Sequence, residues 1–220
     1  MCLHCHGGRF RTVRPGIGRV RDDLAALLPR VDVASVDTAT SAVPDVPVLV
    51  GTESVLHRVG AGVGPPIELV AYLELDQELL APRARAAEQA LWLLVRGARM
   101  LTASGRLLLQ TRLPDHEVVR AVRHGDPILV VDGETARRQA LRFPPFGGLA
   151  EVRGEPEPVA MACAAVTDAG VTVLGPVRDG TEALLRAPDV STLCDALAAP
   201  AVDIARAKGR LRIDVDPRRV

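Results

Sequence analysis

The sequence contains little lysine and few aromatic residues. Lys208 is the only lysine among 27 basic residues. This excludes a Walker A loop, GxxxxGK[ST], because that loop needs a lysine to reach the nucleotide phosphates. Aromatic residues make up 2% of the chain, so the hydrophobic core must be built from Leu, Val and Ala. An array of exposed rings that stacks on single-stranded nucleic acid is therefore not expected.

Cysteine and long apolar runs are also scarce. The chain has four cysteines and no run of about 18 apolar residues, which argues against a disulfide scaffold and a membrane span. The opening Met-Cys-Leu-His-Cys-His lacks the apolar stretch of a signal peptide. We therefore expect a cytoplasmic protein.

Neither sign of charge is in excess. The 27 basic residues balance 27 acidic residues, which excludes a uniformly basic domain that binds polyanions. Along the chain the charge alternates in blocks: +4 for 1–30, −7 for 31–80, +5 for 81–142, −5 for 143–200 and +3 for 201–220. Folding can bring the three basic blocks together, or each can be a separate solvated face.

At 220 residues and 48% apolar content the chain is long enough for one large or two small domains with a real core. Up to about residue 130, apolar runs alternate with helical patterns, which predicts βαβ units around a parallel sheet. The runs 46–50 and 67–75 are typical of buried parallel strands. The spacing of apolar residues predicts helices over 18–28 and 85–101.

A second pattern begins at Phe143-Pro144-Pro145-Phe146, where the preceding helix must end because a residue before proline disfavours helical geometry. The segments that follow predict the order βαββαβ, a small α+β domain of about 75 residues. They are strands at 149–153, 171–174, 183–186 and 211–215, with helices at 158–169 and 189–207.

Some short motifs are chemically suggestive but incomplete. Cys2 and Cys5 have the spacing of half a zinc site, which needs two more ligands. Glycine-rich segments at 16–18 and 60–64 could cradle phosphate, although neither matches GxGxxG and a plain loop explains both. Glu74 and Asp76 would share one face of the 67–75 strand and could hold a cation or an arginine, or simply form a polar strand end.

In chain order, motifs along the sequence resemble the C-terminal half of primosomal protein N′, a family of bacterial replication-restart proteins built on a superfamily 2 DNA helicase. The order is collinear over essentially all 220 residues. The matching segments are Cys2-Leu-His-Cys5, Gly16-Ile-Gly18 with Pro29, Val36-Asp37 with Thr40, Val50-Gly51-Thr52, Leu73-Glu-Leu-Asp76, Arg85-Ala-Ala-Glu88, Gly105-Arg-Leu-Leu-Leu-Gln110-Thr111, Pro114-Asp-His116, Arg137-Arg138, Phe143-Pro144-Pro145-Phe146, Val173-Leu-Gly175-Pro176 and Ile213-Asp214-Val215-Asp216-Pro217.

The resemblance implies a fold and a domain order. Residues 1–10 would be a remnant of a zinc-binding segment, so zinc is the implied metal, with Cys2 and Cys5 as ligands. Residues 11–139 would be the second RecA-like helicase lobe, with a parallel sheet. Residues 140–220 would be the family's C-terminal domain, with a ribosomal S10-like βαββαβ fold.

Departures from the family pattern indicate a degenerate helicase, similar to the actinobacterial form of the family. The family's GTQMxxKG is replaced by Gly51-Thr-Glu-Ser-Val-Leu-His57-Arg58, and its QVaGRaGR by Leu93-Leu-Val-Arg96-Gly97-Ala-Arg99-Met100. Arg96 and Arg99 lie one residue away from the positions of the family's arginines, which turns them by about 100° around a helix. Losing an arginine finger lowers the rate of nucleotide hydrolysis by a factor of about 10³–10⁵. The implied but degenerate nucleotide-binding residues are Gly51, Thr52, Arg96 and Arg99, and ATP hydrolysis by this chain alone is not expected.

The family's function implies branched or forked DNA as a ligand, with primosome and single-stranded-DNA-binding proteins as partners. DNA contact is expected to be mainly to phosphate. The expected DNA-binding residues are Arg137, Arg138, Arg142, Arg206, Lys208, Arg210 and Arg212. Two other hypotheses stay open: an active ATP-dependent 3′–5′ helicase completed by an upstream first lobe, and a protein-interaction module that binds neither DNA nor ATP.

Overall fold

The computed structural model describes residues 16–59 and 66–217, which form a mixed α/β fold. The elements before the Phe143–Phe146 turn are α1 (Ile17–Leu27), β1 (Val33–Val36), β2 (Val48–Gly51), α2 (Ser54–Arg58), β3 (Ile67–Tyr72), α3 (Asp76–Leu79), α4 (Ala86–Ala98), β4 (Leu101–Leu109), α5 (Glu117–His124) and α6 (Ile128–Leu141). After the turn come β5 (Gly148–Gly154), α7 (Pro156–Asp168), β6 (Thr172–Val177), β7 (Glu182–Ala187), α8 (Val190–Leu197), α9 (Pro200–Lys208) and β8 (Leu211–Val215). Within this described part, no helix has the length and apolar character needed to cross a membrane.

The contacts divide the chain into two compact units. The first contains the described residues up to Tyr72 together with Leu93–Leu109. The second contains Leu73–Trp92 and the described residues from Gln110 onward. The second unit therefore joins the C-terminal sheet to helices α3, α5 and α6 and to the first half of α4.

The strands of the first unit pair in parallel, as the sequence predicts, but as two separate two-stranded sheets in the described residues. β1 pairs with β2, with Val33 opposite Val48. β3 pairs with β4, with Tyr72 opposite Leu109. The Tyr72 hydroxyl donates a hydrogen bond to the Leu93 carbonyl of α4 (2.5 Å), and burial raises the pKa of Tyr72 to about 12.

The prediction of a strand over 67–75 is wrong at its end. β3 stops at Tyr72, Glu74 has a positive φ of 53°, and Asp76 begins α3. Glu74 and Asp76 therefore do not alternate along one strand face. The physical reason is that the Asp76 carboxylate accepts hydrogen bonds from Thr111 and Arg112, which follow β4, and the apolar pattern does not reveal such a long-range contact.

The second unit carries a four-stranded antiparallel sheet in the order β6-β7-β5-β8. Val152 of β5 lies opposite Ala183 of β7 on one side and Ile213 of β8 on the other. The order of elements is βαββααβ, which matches the predicted βαββαβ except in its second helix. One predicted helix, over 189–207, is instead two helices, because Pro200 cannot donate an interior helical hydrogen bond and starts α9 at its first turn.

One face of this sheet packs against α7, α8 and α9 to form a hydrophobic core. Inward residues such as Val152 and Leu185 are fully buried and meet Val159, Leu193 and Val202 from the helices. The core is aliphatic, as the scarcity of aromatic residues predicts. Burial in this core raises the pKa of the Cys163 thiol, so this cysteine is a small apolar core residue rather than a reactive thiol.

Helix α6 ends before the double proline, as predicted. Leu141 is its last residue and Arg142 closes it in a left-handed conformation (φ 54°). Beyond the turn, the Arg186 guanidinium of β7 donates to the Leu141 carbonyl (2.6 Å) and lies 5.8 Å from the centre of the Phe143 ring. These contacts hold the turn against the C-terminal sheet.

Candidate nucleic-acid interface

A polar cluster forms where the chain leaves β3 and β4. The Asp76 carboxylate accepts a hydrogen bond from the Thr111 hydroxyl and another from the Arg112 backbone N–H (3.1 Å). The Gln110 side-chain carbonyl accepts from the Glu74 N–H (3.1 Å). The Thr111 hydrogen bond holds the pKa of Asp76 below its usual value. These carboxylate and amide groups tie the segment after β3 to the segment after β4, which accounts for their positions without a bound cation.

The predicted nucleotide residues Gly51 and Thr52 lie at the carboxyl end of β2. A Cβ at position 51 would collide with the Val36 carbonyl and the Val55 side chain, so glycine is required there. The Thr52 hydroxyl lies 3.0 Å from the Ser54 hydroxyl. Gly51 and Thr52 are both exposed.

Arg96 reaches the same region of the first unit. Its Nε donates to the Leu56 carbonyl of α2 (2.7 Å). Arg99 follows the end of α4 and is exposed. The fold thus places Arg96 near the segment that follows Gly51 and Thr52, but this arginine uses its Nε on the protein backbone.

Two of the predicted DNA-binding arginines lie in intramolecular ion pairs on α6. Arg137 donates to Glu117 (2.5 Å) and to Glu134 (2.9 Å). Arg138 donates to Glu134 (2.8 Å) and to Glu88 (2.5 Å), and its side chain is only 16% exposed. Burial opposes ionisation of Glu134, but the hydrogen bonds from Arg138 and Arg137 hold the pKa of that carboxyl below its usual value. All three guanidinium nitrogens of Arg138 therefore donate within the protein. Arg137 uses one nitrogen for both of its carboxylates, and its side chain is 48% exposed.

The other predicted basic group lies where α9 passes into β8. We name this surface the α9–β8 corner; it contains Arg206, Lys208, Arg210 and Arg212. All four residues are exposed. Arg206 pairs with Asp203 (3.0 Å) on α9. Lys208 and Arg210 form no ion pair with any residue that the structure describes. This corner is therefore the more open of the two basic groups.

Three more arginines are exposed in the second unit. Arg142 caps α6 and has no ion pair among residues 16–59 and 66–217. Arg120 and Arg123, which sequence reasoning missed, lie three residues apart on α5, and both are exposed. A sequence signal for them existed, because they are an i, i+3 pair of arginines within the +5 block at 81–142. Ala121, which lies between them in sequence, is buried.

Cys2 and Cys5, the predicted zinc ligands, lie outside the described residues, as does the glycine-rich segment at 60–64. Elsewhere in the part of the chain that the structure describes, no three His, Cys, Asp or Glu side chains are grouped as a metal site requires. Cys194 is exposed and Cys163 is buried, and both are free thiols.

Comparison with known proteins identifies the family. The family model described as Primosomal protein N C-terminal domain matches residues 139–218. The chain is also 30% identical to the Replication restart protein PriA of Treponema pallidum, over 98% of this chain and 38% of that protein. This chain carries a C-terminal region of the primosomal protein N′ type. It is 26% identical to the Replication restart protein PriA of Bacillus subtilis, over 87% of this chain and 25% of that protein, so it spans well under half the length of these relatives.

In this primosomal protein N′ segment, motifs far apart in sequence contact one another. Arg85 forms an ion pair with Asp216, which follows the last strand. Glu88, one turn further along, accepts the hydrogen bond from Arg138. Arg85 also lies 3.7 Å from Glu88. Arg85 and Glu88, which resemble the family's R-x-x-E helix, therefore bind the end of β8 and α6. Their role is structural.

Proposed function

We propose that this chain acts in replication restart, by binding branched DNA at stalled replication forks and supporting primosome assembly there, without hydrolysing ATP. The observation that carries the proposal is the match of residues 139–218 to the family's C-terminal domain, continued by similarity to PriA relatives over 98% of the chain. Primosome and single-stranded-DNA-binding proteins are the partners that this role requires.

Residues 11–139 would form the second RecA-like lobe of such a protein, and 140–220 the C-terminal domain. The parallel pairing of β1 with β2 and of β3 with β4 supports the lobe, because RecA-like folds are built on parallel strands joined by helices. The βαββααβ order after residue 147 supports the C-terminal domain.

Two features support the loss of ATP hydrolysis. The chain has no lysine in its first 207 residues, so it has no phosphate-binding lysine before that point. The Nε of Arg96, which lies beside the Gly51-Thr52 segment, donates to a backbone carbonyl. These residues do not make a complete nucleotide site, and no step of the proposed function passes through ATP.

The test is a fluorescence-anisotropy titration of a labelled fork and a length-matched duplex with the purified chain, at two salt concentrations, with ATP hydrolysis followed in parallel. We expect tighter binding to the fork, weakening with salt because phosphate contacts release counterions, and no hydrolysis. Absence of DNA binding at low salt would contradict the proposal and favour a protein-interaction module. DNA-stimulated hydrolysis would instead favour an active helicase.

A further inference from the structure

The two groups of predicted DNA-binding residues differ in how fully they are neutralised. Around α6, three arginines (Arg137 and Arg138 on the helix, and Arg85 just before α4) face four carboxylates (Glu88, Glu117, Glu134 and Asp216) in one connected set of ion pairs. This set has no positive charge left to attract a phosphate. Because the Arg138 side chain is also only 16% exposed, a DNA strand would have to displace protein carboxylates to reach it.

The α9–β8 corner has the opposite character. Lys208 and Arg210 lie on either side of Gly209 and are exposed, without an ion pair among the described residues. Arg212 is 75% exposed at its side chain and pairs only with its strand neighbour Asp214, at 2.9 Å. Exposed ion pairs of this kind contribute little and exchange readily. These side chains are free to contact an incoming anion.

A fourth arginine joins the corner from the neighbouring strand. Arg153 of β5 lies directly opposite Arg212 of β8. Both side chains point away from the helices, because the alternate residues Val152 and Ile213 pack into the core with α7–α9. Like charges directly opposite each other on adjacent strands are destabilising. Arg153 is 49% exposed and pairs with both Glu151 (2.6 Å) and Glu182 (3.2 Å), which offset this repulsion. Arg153 therefore extends the corner as a half-exposed charge that is already partly neutralised.

We infer that the α9–β8 corner, extended by Arg153, is the surface of this chain that contacts DNA phosphates, and that the α6 arginines are structural. This inference rests on the proposed function. The only aromatic residues of 139–217 are Phe143 and Phe146, which lie in the turn before β5. The corner therefore has no ring to stack on a base, and it binds the DNA backbone with no base preference.

The experiment compares the salt dependence of duplex binding for four variants of the full chain, two double and two single. Lys208→Ala/Arg210→Ala removes two charges from the corner. Arg120→Ala/Arg123→Ala removes two equally exposed charges from α5 and is the matched control. Since each phosphate contact contributes about 0.9 to the log–log slope of affinity against salt, the corner variant is expected to lose about 2 from that slope. The α5 variant is expected to change the slope by much less.

A third variant, Arg137→Ala, tests the structural role of the α6 pairs, and Arg153→Ala tests the contribution of β5. We expect Arg137→Ala to leave the slope unchanged, and Arg153→Ala to lower it by up to about 1. Circular dichroism of each variant confirms that it is folded. If the wild-type chain binds no DNA at low salt, the proposed function fails. If it binds, but the corner and α5 variants lose equal slope or Arg137→Ala loses more, only the assignment to the corner is overturned.

Discussion

At the residue scale, His116 links protonation to the start of a helix. Its Nδ1 accepts a hydrogen bond from the Val118 N–H (3.2 Å) and so caps α5. Burial lowers the pKa of His116, with Glu117 and Asp76 acting to raise it and Arg137 to lower it. A protonated Nδ1 cannot accept this hydrogen bond, so the cap depends on the neutral imidazole.

The sign of the resulting pH dependence follows from the lowered pKa. As pH falls below about 7, His116 takes up a proton in the unfolded chain before it does so in the folded chain. The free energy of unfolding therefore decreases with falling pH, until the pH lies below the folded-state pKa of His116. His116→Asn keeps a capping oxygen that does not titrate, and should flatten urea-unfolding free energies between pH 5 and 7. His116→Ala should lose about 1 kcal/mol at pH 8.

His124→Asn, in the last turn of the same helix, makes the same substitution at a histidine outside the cap and is the control. An unchanged slope in His116→Asn would show that this cap is not coupled to protonation. This cap could not be predicted from the sequence, because a histidine at an N-cap position is not among the residue types that mark helix starts.

At the element scale, helix α8 begins with a capping aspartate. The Asp189 carboxylate accepts a hydrogen bond from the Thr192 N–H (2.8 Å) and another from the Thr192 hydroxyl (3.0 Å). The hydrogen bond from the Thr192 N–H holds the pKa of Asp189 below its usual value. Asp189→Ala should therefore lower the free energy of unfolding by about 1 kcal/mol, measured by urea titration at pH 7. Asp189→Asn should lose far less, because an amide oxygen can also cap.

Asp195, exposed on the same helix, gives the matched control. Asp195→Ala should stay within about 0.5 kcal/mol of the wild type. Equal losses in the two alanine variants would mean that the Asp189 cap contributes nothing specific and that general charge effects on α8 explain the change.

Elements of the C-terminal domain are those that the sequence predicts best. Alternation throughout β7 and from Ala150 onward in β5, with Pro and Gly at the connections, marks strands whose one face is buried. Errors arise where hydrogen bonds from side chains override the apolar pattern. Asp76, which follows β3, accepts hydrogen bonds from Thr111 and Arg112, which are 35 and 36 residues away in sequence. No local sequence pattern can show such a contact.

At the scale of the whole molecule, the sequence shows which residues carry positive charge, but not which of them form ion pairs in the folded chain. Arg138 and Lys208 look equivalent in sequence as basic residues within basic blocks. The fold brings Glu88, 50 residues away, to Arg138, while Lys208 stays exposed. The candidate interface could therefore be predicted from the sequence as a set of basic residues, but its division into structural and ligand-binding members depends on tertiary contacts.

The same ion pairs make a prediction about the stability of the second unit. Glu134, with its side chain 11% exposed, binds both Arg137 and Arg138, and Arg138 continues to Glu88 on α4. Removing one partner of a buried ion pair costs about 3–5 kcal/mol. Because Arg137 stays bound to Glu134, we expect Arg138→Met to lower the free energy of unfolding by about 2 kcal/mol in urea titrations.

The double variant Arg138→Met/Glu134→Met separates loss of the ion pair from loss of packing. It removes the Glu134 carboxylate together with the arginine, so it should recover much of the stability lost in Arg138→Met, since apolar replacement of a whole buried pair is often neutral. If Arg138→Met costs less than about 0.5 kcal/mol, as an exposed surface substitution does, the α6 ion pairs do not stabilise the fold. Arg138 would then again be available as a DNA ligand, and the slope of duplex binding against salt in Arg138→Met would decide between the two roles.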